Sequence, residues 1–442
     1  MPALNRAIKR LIKARRLTNN PPMRCLFLLA VTLNIFFAAY CLLFNLSLIS
    51  TGLKVVSDFT VFYAGGRIMR EGPREKLYDL PTQAGVERQV IAESGEPFPP
   101  WKNEMMPFNY PAHSALPFVP LNYLSFKDAS RVFVAVNMLL EVYAFVLLFR
   151  LTRRWTPRER VAFLSTAFAF RAWTLTLYFG AFSAFILVCA LKFYAAAKRG
   201  EDRAAGLWLA AATFKPQHAF IPMIAVAMAR KWRLLAAFAF AVGAMCIAMM
   251  ALCGWRVWFD YLALLGLLNR SEGVYNIFPE MMANVRGLLY MALGPGHQDA
   301  LNGVALAALL FAAALMFLLW RRGWHPHDAD FDLKLAATLL LGMFASPHLN
   351  PQDDLLLIGA AALLYGHTRR ARLDAQTFIA LLIASPSLYL IIVALDLVPL
   401  IWTWHLLPTF VLQGWLLYCY AKRGGAADVN RAPSPDAGIA SA

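Results

Sequence analysis

The sequence predicts an all-α, polytopic membrane protein with about eight full spans and two half-helix pairs broken in mid-membrane. Three observations carry that reading. Sixty per cent of the 442 residues are hydrophobic and only 15% are charged, which excludes an ordinary soluble domain. Apolar runs long enough to cross about 30 Å of hydrocarbon recur along most of the chain. The basic residues are also sorted by side. Of 42 Lys and Arg, 27 fall in 1–24, 150–160, 198–203, 230–233, 321–334, 367–374 and 422–442, which hold only nine acids. The segments 51–106 and 254–298 together hold ten basic and eleven acidic residues. This is the positive-inside pattern. It places both termini and the basic turns in the cytoplasm, and the loops 51–127 and 254–298 outside. The net charge of +16 thus reflects membrane orientation and does not call for nucleic acid.

Within the basic segment 1–24, residues 1–20 carry Leu4, Ile8, Leu11 and Ile12 at helical spacing among six basic residues, with no acid between them. Such a segment suits an amphipathic helix on an anionic cytoplasmic leaflet, or a disordered basic tail. A transmembrane domain is expected over 25–420 and a disordered cytoplasmic tail over 421–442. The first span, 25–49, is too long for a signal-peptide core and lacks a small-residue cleavage site. In PFNYPAHSALPFVPLNYL, 107–124, four prolines disfavour an uninterrupted helix, so this stretch is expected to lie broken against the external face. Full crossings follow at 128–149, 161–179, 181–197, 234–253, 299–320, 375–396 and 399–420. The stretch 204–229 has basic turns at both ends, is too short for two spans, and as one span would break the charge rule. It reads as two half-helices meeting at Lys215-Pro216. The same device recurs at 333–365, broken within SPHLNPQDD, 346–354. Cys25, Cys41, Cys189, Cys246, Cys253 and Cys419 all lie in or beside apolar runs and read as core residues.

The groups that can carry chemistry gather at these irregular places. SDFTVFYAGGRIMREG, 57–72, puts Asp58 where the first span leaves the bilayer, close to Tyr63. A carboxylate there suits a general base, and equally the cap of the helix that follows. Tyr110 and His113 lie in the proline-rich stretch, Lys215 and His218 at the first break, and His348, Asp353 and Asp354 at the second. The charge pattern turns both breaks outward. Cations at half-helix ends beneath an external carboxylate suit a phosphate held beside a base. Charges inside spans need partners, and Glu141 and Arg171 fall at similar depth on neighbouring spans, so they are expected to pair. HPHDADFD, 325–332, has ligand-type side chains but lies in a cytoplasmic turn and reads as a solvated loop. The sequence has no Gly-rich phosphate loop and no paired-cysteine zinc spacing.

The order SDFTVFYAGG, NYPAHSALPFVPLNYL, KPQHAFIPM…RKWR and SPHLNPQDDLLLIG resembles glycosyltransferase family 87, over about residues 55 to 365. Those are membrane enzymes of the GT-C fold, related to polyprenyl-phosphate-mannose-dependent mannosyltransferases. The resemblance implies a GT-C-like enzyme of the bacterial cytoplasmic (inner) membrane. It would move a sugar, a mannose-like hexose or a pentose, from a polyprenyl-phosphate carrier to a hydroxyl of a glycan or lipid acceptor at the periplasmic face. By the same resemblance Asp58 is the base, and Lys215, His348 and Arg171 hold the donor phosphate. Tyr63, Tyr110, His113, His218, Asp353 and Asp354 are candidate lining residues. A single displacement would invert the anomeric carbon, with the leaving charge taken by cationic side chains and with no metal or other cofactor required. The chain departs from the family pattern at Gly180-Ala181, where many relatives carry Gly-Gln, and at Gln352-Asp353, where they often carry Tyr-Asp. A lipid or sugar transporter, which broken helices also suit, and an inactive envelope-assembly scaffold stay open beside the enzyme.

Overall fold

The computed structural model describes residues 21–96, 106–271, 275, 278–371, 378 and 406–429, and no strand occurs among them. Helix α1 (Pro21–Thr51) is the first span, and α2 (Asp58–Glu71) and α3 (Leu80–Ser94) follow it. The proline-rich stretch forms two 3-10 helices, Ala112–Phe118 and Pro120–Tyr123, as four prolines that withhold backbone N–H groups dictate. Then come α4 (Phe126–Leu151), α5 (Pro157–Phe168), α6 (Ala172–Phe179), α7 (Ser183–Arg199), α8 (Asp202–Ala211) and α9 (Gln217–Met228). They are followed by α10 (Trp232–Cys253), α11 (Val257–Leu268), α12 (Val285–Leu293) and α13 (Gln298–Trp320). The chain continues through α14 (Phe331–Phe344), α15 (Leu356–Arg370) and α16 (Leu406–Val429).

Among the described residues, five helical stretches are long and apolar enough to cross a membrane: Leu28–Thr51, Phe126–Leu151, Pro157–Phe179, Trp232–Cys253 and Gln298–Trp320. They fall on five of the eight expected spans. The crossing expected at 161–179 is interrupted, because α5 stops at Phe168 and α6 starts at Ala172. The crossing expected at 181–197 becomes α7, a 17-residue helix packed against α4, α8 and α15 and buried along most of its length. A helix surrounded by protein has no need to match the bilayer thickness. Most of the expected span 375–396 lies outside the described residues, as do 1–20 and 430–442. Helix α16 carries the last expected span and continues to Val429, past the start expected for the tail. The segment 254–298, expected to be an external polar loop, carries two helices among its described residues, and α11 is apolar.

Both mid-chain breaks have the same local cause. Lys215 precedes Pro216 and Asn350 precedes Pro351, and a residue before proline is driven out of the helical region. Lys215 has φ −127° and ψ 87°, Asn350 has φ −86° and ψ 159°, and helical structure resumes just beyond each. At the second break a capping box closes the turn: the Asn350 side chain accepts from Asp353 N–H, and Asp353 Oδ2 accepts from Asn350 N–H at 3.4 Å.

Two expectations about isolated charges are overturned. Glu141 and Arg171 do not pair; Glu141 Oε1 is buried without a hydrogen-bond partner, and Arg171 faces Cys41 of α1 instead. The stretch 325–332 is not wholly a solvated loop. Its last residue, Asp332, is buried, with Lys198 Nζ at 2.9 Å, Tyr194 donating at 3.1 Å, and Arg370 bonded to its second oxygen. That knot ties α7, α14 and α15 together at the end of α14 remote from its break.

Candidate active site

Asp58 is the first residue of α2, and aromatic packing fixes where α2 begins. Phe62 stacks on Phe118 at 5.0 Å and meets Phe182 edge-on at 4.7 Å, while Phe59 lies 5.0 Å from Phe133. The rings belong to α2, the proline-rich 3-10 helix, α4 and the start of α7. Gly66 lets α2 lie directly on that 3-10 helix; a Cβ there would stand 2.8 Å from the backbone of Phe118. The Asp58 carboxylate is left partly exposed at the helix N-terminus, where backbone N–H groups favour negative charge. Ser57 stands at the N-cap, but its hydroxyl makes no capping bond.

The two breaks meet under Asp58. Lys215 Nζ donates to Asp353 Oδ1 at 2.6 Å, in an ion pair whose side chains are 2% and 1% exposed. Ser183, at the start of α7, donates its hydroxyl to the same oxygen at 2.6 Å, and Lys215 Nζ reaches Ser183 Oγ at 3.4 Å. His218 Nε2 stands 3.7 Å from Asp353 Oδ1, beyond hydrogen-bond length. Next to Asp353, Gln352 donates from Nε2 to Asp58 Oδ2 at 3.3 Å. One turn of chain, 351–355, therefore holds the partly exposed Asp58 carboxylate on one side and the buried ion pair on the other. Its position is set by α6, whose Thr176 hydroxyl lies 3.5 Å from Gln352 O.

The remaining expected residues are placed unequally. Tyr110 borders the site: burial first, then the charges of Asp58 and Asp353, push its hydroxyl well above the usual tyrosine range, so it stays protonated. His348 is half-buried on the second break, within electrostatic reach of Asp353, Lys215 and Arg286. Asp354 is buried behind Asp353, with Oδ1 unpartnered. His113 meets Phe214 edge-on and is buried with neither ring nitrogen hydrogen-bonded; burial lowers it to about 4, so it is neutral at ordinary pH. Tyr63 is packed into the aromatic core, its hydroxyl donating to Leu124 O at 2.9 Å, away from the Asp58 carboxylate. Arg171 heads α6, five residues before Thr176, whose hydroxyl lies 3.5 Å from Gln352 O.

Gln352, Ser183 and Arg286 were not singled out by the sequence. Gln352 stands at one of the two departures from the family pattern, and that was its only signal. The other departure, Gly180-Ala181, has a structural role in its glycine. Gly180 ends α6 at φ +67°, and a Cβ there would meet Phe59 Cβ at 2.8 Å and Leu53 Cδ1 at 2.9 Å. Gly180→Ala is therefore expected to destabilise by about 1–3 kcal/mol through left-handed strain, and to push Phe59 and the start of α2 away. Thermal unfolding of the detergent-purified protein checks this; an unchanged midpoint would mean the contact relaxes freely.

The profile of glycosyltransferase family 87 matches residues 108–347, more than half of the chain. Tyr110, His113, Arg171, Lys215 and His218 lie inside the match, whereas Asp58, His348 and 352–354 lie outside it. No curated protein and no solved structure matches the chain. The match agrees with the resemblance in the motifs and with a helical fold containing several membrane-length spans. The chain belongs to glycosyltransferase family 87.

Proposed function

We propose that this protein transfers a sugar from a polyprenyl-phosphate carrier to an acceptor hydroxyl at the periplasmic face of the bacterial inner membrane, with inversion. The observation that supports this most is the contact between Asp58 and Gln352. It fixes a partly exposed carboxylate beside the buried ion pair that holds the Lys215 ammonium, the arrangement of a base next to a cation for a leaving phosphate. In this reading the acceptor oxygen attacks the anomeric carbon while Asp58 takes its proton. The bond from that carbon to the phosphate oxygen breaks, and polyprenyl phosphate leaves with the electron pair. Lys215, with Arg286 nearby, takes up the leaving charge without a metal, and His348 at the rim offers a hydrogen bond from its imidazole. Lys215 is already held by Asp353, so its ammonium is in place before the phosphate develops charge, as preorganised electrostatic catalysis requires. The periplasmic assignment rests on the distribution of basic residues.

Purified protein incubated with radiolabelled polyprenyl-phosphate mannose or arabinose and the host's extracted envelope glycans and lipids tests the reading. Label is expected to move onto an acceptor, with unlabelled polyprenyl phosphate released. Passage of intact labelled carrier across a sealed vesicle, with no cleavage, would favour a transporter instead.

A further inference from the structure

At the end of α10 lies a groove of about 770 Å³, walled by the 3-10 turn Arg74–Lys76 on one side and by the α10–α11 corner and α11 on the other. Helix α10 is one of the membrane-length helices, so its end at Cys253 stands where lipid chains give way to headgroups. The chain turns sharply at Gly254, φ +87°, and α11 folds back beside α10, with Trp258 Nε1 donating to Cys246 O at 3.3 Å. Trp255 and Phe259, 66% and 64% exposed, meet edge-on at 5.8 Å beside the groove. Exposed aromatic side chains of this kind gather at membrane–water boundaries.

The lining is ordered along α11. Arg256 and Asp260 stand at its start, with Glu75 and Lys76 on the wall formed by the turn. Leu264 and Leu267 follow one and two turns later on the same face, because residues three and four apart on a helix are neighbours. The groove is therefore charged at one end and apolar at the other, over about 16 Å from 256 to 267 at 1.5 Å per residue. Among the described residues, none of Glu75, Lys76, Arg256 and Asp260 is in an ion pair. Asp79, also on the wall, is engaged: its Oδ2 accepts from Thr82 N–H at 3.0 Å and Thr82 Oγ1 at 2.6 Å. Two cations and two anions thus share one concavity without neutralising one another.

We propose that this groove binds one membrane phospholipid whose head carries both a phosphate and a primary ammonium, of the phosphatidylethanolamine type. The phosphate sits between Lys76 and Arg256, whose guanidinium can take two of its oxygens at once. The ammonium, with three N–H donors, sits between the Glu75 and Asp260 carboxylates, and an acyl chain runs over Leu264 and Leu267. Charge matching selects this head among membrane lipids. A glycerol head answers the two cations but leaves two carboxylates facing its phosphate, and a choline head has no N–H to donate to them. Tyr78, whose hydroxyl donates to Tyr110 O at 2.8 Å, stands between this groove and the Asp58 cluster. The lipid is thus a structural ligand that ties the turn to α11, and it does not depend on what the protein transfers.

The test is native mass spectrometry of the full-length, detergent-purified protein, delipidated and then offered equal amounts of dioleoyl-phosphatidylethanolamine and dioleoyl-phosphatidylglycerol. The first lipid bound is expected to be the ethanolamine lipid, preferred about tenfold, the low end for a gained charge-assisted hydrogen bond. Arg256→Gln is expected to weaken both lipids about tenfold through the lost phosphate contact, and Asp260→Asn to weaken the ethanolamine lipid alone, erasing the preference. Should Asp260→Asn lower the unfolding midpoint measured without lipid, Glu75→Gln on the exposed turn makes the same test. Equal retention of the two lipids by the unmodified protein overturns the proposal, as does a preference that Asp260→Asn and Glu75→Gln leave untouched. Preference for the glycerol lipid also overturns it, and would make Lys76 and Arg256 a basic patch for anionic lipid. Neither donor sugar nor turnover enters the measurement, so the glycosyltransferase reading and this one fail separately.

Discussion

Asp58→Asn is expected to lower sugar transfer by about 10²–10⁴-fold while leaving yield and thermal unfolding near wild type. A hydroxyl is a poor nucleophile at neutral pH, and general-base assistance is typically worth that factor. The substitution is conservative in every respect but basicity. Asparagine keeps the shape at the first position of α2 and keeps a side-chain oxygen that can accept from Gln352 Nε2, now 3.3 Å from Asp58 Oδ2. Single-turnover transfer from a radiolabelled donor, beside an unfolding curve, is the measurement. If most of the turnover remains, Asp58 serves only to begin α2. The base could not then be Asp353, whose Oδ1 already accepts from Lys215 and Ser183, and Asp354 with its unpartnered Oδ1 would be next. Asp58→Glu keeps the charge but displaces it by about one methylene, so a slowed but measurable rate is expected there.

How much of this was legible in the sequence depends on whether the cause is local. The two breaks were legible because a proline acts on the residue before it, and Lys215 and Asn350 adopt the extended backbone this demands. The proline-rich 3-10 helices and the start of α2 at Asp58 were legible for the same kind of reason. The meeting of the two breaks was only half legible. Lys215, His218 and Asp353 were placed on one side of the membrane by charge counting, but nothing local says that Asp353 bonds to Lys215 and not to a substrate. Gln352 and Ser183 were invisible because their partners, Asp58 and Asp353, are far along the chain. The depth argument for Glu141 and Arg171 failed because equal depth fixes one coordinate only. Helices also turn, and Glu141 and Arg171 do not face one another; Glu141 Oε1 is left without a hydrogen-bond partner. Asp332 was misread because its partners Lys198 and Arg370 come from other basic turns that look merely solvated in sequence.

Lys215→Met is expected to destabilise the protein by about 3–5 kcal/mol, because it strands a carboxylate that is 1% exposed. Asp353→Asn should do comparable damage from the other side, leaving the ammonium of a lysine that is 2% exposed. The double variant Lys215→Met/Asp353→Asn removes both charges and keeps one oxygen to accept from Ser183 Oγ, at the cost only of the long 3.4 Å bond from Asn350 N–H to the second oxygen. Since burying two charges opposes their attraction, replacing both together is often nearly neutral, so most of the lost stability is expected to return in the double variant. Activity is expected to behave differently. If Lys215 also takes up the leaving phosphate, transfer stays depressed in the double variant although the fold is restored, and donor binding is weakened by about 1.5–3 kcal/mol, the range for a lost charge-assisted hydrogen bond. Unfolding curves and donor titrations on the three variants separate the two roles. A double variant that regains both stability and transfer would show the ion pair to be a strut joining the two broken helices, with the leaving charge then held without Lys215.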